Sequence, residues 1–379
     1  MEEIPEASEE GTDSIIQDIP IFEKKPPMII ITSPTFIKEN IMKYVSYKII
    51  LRDEDNGCTI QRRFSEFKHL RKLLLSIWGG SYIPPLPKSK FIGSFKPDFI
   101  EDRRKILEKF LQGCCEIPYI YNFKDFQAFL RLPDTFISPK YSYPDISIIL
   151  EDTFEDNCRN TVNDDYIEKA GYALKNFQTA IERLKIFEVF IEKSCEKMEK
   201  YQISFNKLMN TTRHVASVYL RRRFETKVRE MHVNPYWVLN DWVKAEILDT
   251  EAIIEALNIL NEYGNIVVKL KEKLEQDSIK LQESREGKKN ILNIFHIKSP
   301  EETIRELTET VERTEADLES CLLIRGTLYY VLFESDIFSF IGKKSTIFQQ
   351  SLNDFSSKTA EEFEEIIKQI NQMAANFSD

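Results

Sequence analysis

Neither cysteine nor histidine is arranged for a metal in this sequence. The six cysteines (Cys58, Cys114, Cys115, Cys158, Cys195, Cys321) and four histidines (His69, His214, His232, His296) fall in separate segments, without C-x-x-C or H-x-x-x-H spacing. That argues against a zinc site or a disulfide framework and for ordinary reduced thiols. No run of about 18 apolar residues occurs, and the start of the chain lacks the basic-then-apolar pattern of a signal peptide, so the chain reads as soluble and cytoplasmic. Catalytic signatures are missing as well. There is no G-x-S-x-G and no dinucleotide fingerprint, and "GKKS" at Gly342 to Ser345 lacks the upstream glycine of a phosphate-binding loop. With the histidines dispersed, no convergent acid–base set exists, and neither an enzyme nor a cofactor is expected.

Positive charge is absent from the first 23 residues. They hold eight acids (Glu2, Glu3, Glu6, Glu9, Glu10, Asp13, Asp18, Glu23) and no lysine or arginine, which accounts for most of the net charge of -10. Residues 1–27 are expected to form an acidic, disordered tail. Between Met28 and Thr135 the balance reverses, with 18 lysines and arginines against 12 acids. An acidic whole therefore hides a basic module, whose partner should be anionic.

What is present divides the 379 residues into two kinds of structure. Over 28–64, β-branched and aromatic residues alternate around "DEDNG", whose Asn56-Gly57 is a strong hairpin signal, so a small antiparallel sheet is expected. "SEFKHLRKLLLSIW" then places Phe67, Leu70, Leu74 and Ile77 at helical spacing behind Ser65 as N-cap. Pro84, Pro85 and Pro87 in "IPPLP" demand an extended, stiff loop. Helical periodicity resumes through Ile106, Leu107, Phe110 and Leu111, and "FKDFQAFLRLP" adds a short helix. An α+β domain over 28–135 is followed by a proline-punctuated linker over 136–164, where Pro139 and Pro144 interrupt.

From 165 to 379 the pattern is all helical. Phe177, Ile181, Leu184, Phe187, Ile191, Met198, Tyr201, Phe205 and Leu208 mark one helix of about 50 residues, or about 75 Å. Asn234-Pro235 caps a second, which falters at "REGKKN". Ser299, Pro300 and Glu302 open a third, expected to bend or break near "FSFIGKK". Three long helices predict an extended antiparallel bundle, and its surplus apolar surface predicts a dimer.

The order of hairpin, "RRF", amphipathic helix, "PPLP" loop and "RRKILEKFL" helix resembles a Phox-homology (PX) domain. A PX domain followed by three long helices resembles a sorting nexin of the PX and Bin/amphiphysin/Rvs (BAR) class, and "WVKAEILDTEAIIEAL" at Trp242 to Leu257 is similar to the second BAR helix. The resemblance implies a phosphoinositide site. In it Arg63 binds the 3-phosphate, Phe64 packs against the inositol, and Lys88 or Lys90 holds the 1-phosphate. Arg103, with Arg104 the alternative, bonds the inositol hydroxyls. Guanidinium forks suit phosphate oxygens, and each charge-assisted bond contributes about 1.5–3 kcal/mol. Alternation along a strand turns Arg62 and Arg63 to opposite faces, so at least one is expected to be merely solvated.

The resemblance further implies a BAR dimer that meets anionic lipid through basic residues. Candidates are Arg221, Arg222 and Arg223 in the first long helix and Lys288 and Lys289 at a bundle tip, at about 1 kcal/mol per charge. The expected partners are phosphatidylinositol 3-phosphate, an anionic membrane, a second subunit in a homo- or heterodimer, and cargo or retromer-like proteins. One compact basic cluster beside a proline loop suits a lipid head group better than nucleic acid. The implied function is peripheral attachment to endosomal membranes in protein sorting and transport, with curvature sensed or induced by the dimer. A PX-anchored tether that recruits proteins without bending membrane is the alternative.

Overall fold

The computed structural model describes residues 26–32, 34–39, 42–52, 57–87, 97–154, 164–219, 234–286 and 299–378. Two compact units emerge from this chain. One joins the stretch up to Lys175 with Glu251–Phe338, and the other joins Asn176–Thr250 with Ser339–Asp379.

In the first unit four strands, β1 (Met28–Ile31), β2 (Thr35–Glu39), β3 (Met42–Arg52) and β4 (Cys58–Arg63), form one antiparallel sheet around β3. β4 pairs along one side of β3 in the expected hairpin, with Leu51 opposite Cys58 and Ser46 opposite Arg63. β1 and β2 follow one another along the other side, and between them the register advances from Ile31 to Thr35 against Ile49 to Ser46. That one-residue bulge falls beside Pro34, which has no N–H for the ladder. The outer edge of β1 is covered by side chains of a helix. Gln112 Oε1 accepts from Ile29 N–H at 2.9 Å, Glu108 Oε2 accepts from Ile31 N–H at 2.6 Å, and Arg104 Nη1 donates to Ile31 O at 2.6 Å. These bonds satisfy main-chain groups that a neighbouring strand would otherwise take.

Helices α1 (Phe64–Trp78), α2 (Pro97–Cys115), α3 (Pro118–Tyr121) and α4 (Lys124–Arg131) pack on the sheet. Phe67 is their common centre, with ring centroids 6.3 Å from Tyr47, 6.4 Å from Phe110 and 5.3 Å from Phe129. Phe67, Leu70, Leu74 and Ile77 are all buried, as their spacing requires. The N-cap of α1 is Arg63 and not Ser65. Glu66, at the third helical position, reaches back to the Arg63 N–H at 2.9 Å and fixes the start two residues earlier.

The stretch read as linker contains a helix, α5 (Tyr143–Thr153). Ser142 caps it, Asp145 returns the bond, and Pro144 sits in the first turn, where a missing N–H costs nothing. The long helices are α6 (Asp164–Tyr219), α7 (Tyr236–Arg285), α8 (Pro300–Val331) and α9 (Ile337–Ser378). Ser299 caps α8 and Asn234 bonds the first turn of α7, both as expected. The break expected in "FSFIGKK" lies just upstream, where Leu332–Asp336 makes a π turn and α9 runs on through Phe338 to Lys344. None of the described helices is long and apolar enough to cross a membrane.

Still within the first unit, the end of α1 is pressed against α7 and α8. A Cβ on Gly80 would lie 2.5 Å from Leu260 Cδ2 and 2.9 Å from Leu328 Cβ. Arg71 donates to Glu255 at 2.5 Å, Tyr82 N–H donates to Asp336 at 2.8 Å, and α5 meets α8 through Ser147 and Ser320. The second unit has its own core, with Ile191, Cys195 and Leu239 in one cluster and Phe205, Met209 and Ile366 in another. There Lys344 pairs with Glu246 at 2.9 Å and with Asp249, while burial pushes the Glu246 carboxyl above its usual range. Ile186, Val189, Phe190, Ile203 and Leu208 of α6 and Phe363, Ile367 and Ile370 of α9 are nevertheless exposed.

Candidate functional site

The site begins at the end of β4, where strand alternation separates the two arginines. Arg62 turns inward and is only 2% exposed. Its guanidinium donates to Phe129 O at 2.9 and 3.1 Å, to Leu132 O at 2.5 Å and to Asp134 O at 2.8 Å. Burial lowers its pKa, and Glu66 and Asp134 partly offset that. Arg62 therefore ties β4 to the carbonyls at the end of α4, groups a helix terminus leaves without internal donors. The expectation that one of the pair is merely solvated overlooked this role. Glu66 completes the joint by accepting from Phe136 N–H at 2.8 Å.

Arg63 faces the other way and is exposed, without an ion pair or side-chain hydrogen bond among the described residues. Phe64, next in sequence, is half-buried. Over its ring lie the Arg103 guanidinium at 4.3 Å and the Lys68 ammonium at 5.6 Å. Arg103 comes from the second turn of α2 and is 7% exposed, and its Nε has no hydrogen-bond partner among the described residues. The Phe99 ring, one helical turn earlier, lies 4.5 Å from the same guanidinium. Tyr47, buried on β3, has a phenol whose pKa is raised by burial and pulled back by the Arg103 charge.

Arg104 is differently employed. It bonds Glu101 at 2.9 Å, Glu108 at 3.0 Å and Ile31 O, and the Glu101 hydrogen bond holds its pKa above the ordinary value. Its charge is spent on the fold, whereas Lys68 and Arg103 gather over the ring of Phe64, the residue that follows the exposed Arg63. Lys68 and Phe99 are two further residues of this cluster. Both are legible in the sequence, since Lys68 stands four residues after Phe64 on α1 and Phe99 four before Arg103 on α2, the spacing that brings side chains together on a helix.

The proline loop is anchored from behind. Pro84 and Pro87 are buried, Arg71 Nε donates to Pro84 O at 2.9 Å, and a Cβ on Gly113 would stand 3.0 Å from Pro84 Cγ. Lys88 and Lys90 lie outside the described residues, as do Arg221, Arg222, Arg223, Lys288 and Lys289.

Residues 51–133 match the family model for the PX domain. Vacuolar protein sorting-associated protein 5 of Saccharomyces cerevisiae is 32% identical over 137 residues, covering 35% of this chain and 20% of that protein. Sorting nexin-4 of Schizosaccharomyces pombe is 28% identical over 189 residues, covering 44% of this chain and 46% of that one. The chain thus spans between a fifth and about half the length of these relatives. The cryo-EM structure of the SNX-BAR Mvp1 tetramer matches 91% of this chain and 99% of its own, with a TM-score of 0.56 at 15% identity, a likeness of fold. Residues 51–133 thus form a PX domain, and the chain shares the fold of an SNX-BAR protein.

Proposed function

We propose that the chain binds a phosphoinositide of endosomal membranes, phosphatidylinositol 3-phosphate in particular, and acts there in protein sorting and transport as a membrane-binding protein, not an enzyme. The observation that carries this reading is the exposed Arg63, without an ion pair among the described residues, next in sequence to Phe64, whose ring the Arg103 guanidinium covers, and to Arg62, which is fixed in the core. A guanidinium that no carboxylate neutralises is available to fork onto phosphate. Arg63 takes the 3-phosphate, Phe64 packs on the inositol, Arg103 reaches the hydroxyls, and Lys88 or Lys90 takes the 1-phosphate.

The second half of the proposal is a dimer, homo- or heteromeric, that senses or induces curvature through the helical region. Its supports are the SNX-BAR fold and the apolar side chains left exposed on α6 and α9. Arg221, Arg222, Arg223, Lys288 and Lys289 would meet anionic lipid, and retromer-like partners or cargo would complete the assembly. The names of the relatives, a sorting nexin and a vacuolar sorting protein, agree with that setting.

The test is co-sedimentation with vesicles that contain phosphatidylinositol 3-phosphate, against matched vesicles lacking it. Binding should require the lipid, and Arg63→Ala should weaken it by about 10- to 100-fold, the equivalent of one charge-assisted contact. Wild type that ignores the lipid, or an Arg63→Ala variant that binds as well, overturns the reading.

A further inference from the structure

Arg103 presents a physical problem. An arginine this deeply buried ordinarily has a carboxylate partner, because an unpaired charge away from water is costly. Among the described residues Arg103 has none, and its Nε meets no acceptor. The nearby acids Glu101 and Glu108 of the same helix are engaged by Arg104.

What surrounds the guanidinium is aromatic. Phe64 and Phe99 approach its central carbon to 4.3 and 4.5 Å, within the range at which a ring quadrupole attracts a cation. The two rings come from different elements, Phe64 from the first residue of α1 and Phe99 from the first turn of α2. We propose that Phe99 is a positioning residue of the lipid site, clamping Arg103 with Phe64 so that its guanidinium is held in place without being neutralised. This rests on the reading of Arg103 as a head-group ligand. A carboxylate would hold the side chain equally well but would compete with an anionic ligand for the same donors. A pair of rings restrains a planar group and leaves its N–H edge and its charge for the ligand. Restraint before binding lowers the ordering cost of the complex.

The experiment compares Phe99→Leu, Phe99→Met and Phe99→Tyr with Arg103→Ala in the full chain, on vesicles with and without phosphatidylinositol 3-phosphate, with melting curves for each. Replacing the ring by either apolar chain should lower phosphoinositide-dependent binding by about tenfold, as expected for loss of one desolvated cation–π contact. Phe99→Tyr, which keeps the ring, should restore binding to within about twofold of wild type. If Arg103→Ala loses binding while both apolar variants bind like wild type, the clamp is wrong and the site stands. Equal losses in Phe99→Tyr and the apolar variants also overturn the clamp, because the ring face is then not what matters. If Arg103→Ala itself binds normally, the head-group role of Arg103 fails, and the clamp with it.

Discussion

Two adjacent arginines with opposite duties should fail in opposite ways. Arg62 gives its donors to the carbonyls of Phe129, Leu132 and Asp134 in the interior, so Arg62→Ala strands buried acceptors and leaves Glu66 without its nearest cation. The expected cost is about 3–5 kcal/mol, seen as a lower unfolding midpoint in denaturant, with lipid binding lost only as folding is lost. Arg63→Ala should leave the unfolding free energy within about 0.5 kcal/mol of wild type while binding falls. A reversal of that pattern would exchange the two assignments. Strand alternation in the sequence told that the pair point apart, but not which one points inward. That depends on carbonyls some seventy residues downstream, and only the folded chain brings them to β4. The same limit applies to Arg103 and Arg104, adjacent on one helix, whose partners separate them although their type and spacing do not.

Elements were legible wherever a period or a cap carried the signal. The hairpin of β3 and β4, the buried face of α1 and the caps of α7 and α8 follow from local chemistry that tertiary packing does not oppose. Helix α5 has no place in a linker read from Pro139 and Pro144 as interruptions, yet Ser142 and Asp145 form a capping box around Pro144, the one proline inside the helix. The junction at Gly80 had no local signal at all, since the residues that demand a missing side chain belong to α7 and α8. Gly80→Ala should destabilise the first unit by about 1–3 kcal/mol, because the backbone-proximal Leu328 Cβ cannot swing aside as Leu260 Cδ2 can. Gly171→Ala is the matched control. It sits in α6 with nothing within 4 Å of the added carbon, and a helical glycine replaced by alanine should stabilise by about 0.5–1 kcal/mol. Thermal melts of the two variants should move in opposite directions, and a Gly80→Ala protein that melts like wild type would mean the junction can relax.

For the molecule as a whole, the question is what one site can achieve alone. A single head-group site of a few charge-assisted bonds binds weakly, and two sites on one assembly gain about 10²–10⁴ in avidity without any new contact. The exposed side chains of the second unit repeat at helical spacing, with Ile186, Val189 and Phe190 on α6 and Phe363, Ile367 and Ile370 on α9. A second subunit would take these stripes out of water, and large aromatic side chains contribute most to such an interface. Phe190, 64% exposed in the single chain, is the place to introduce a charge, because a lone carboxylate there costs the monomer little and a dimer much. If the proposed dimer is built on this stripe, wild type should sediment as a dimer and Phe190→Glu as a monomer at the same concentration. Its affinity for a soluble inositol phosphate should be unchanged, while its affinity for vesicles falls by the avidity factor. A variant that monomerises yet holds vesicles as tightly as wild type would place the binding energy in one head-group site. One that remains dimeric would move the interface away from this stripe of α6.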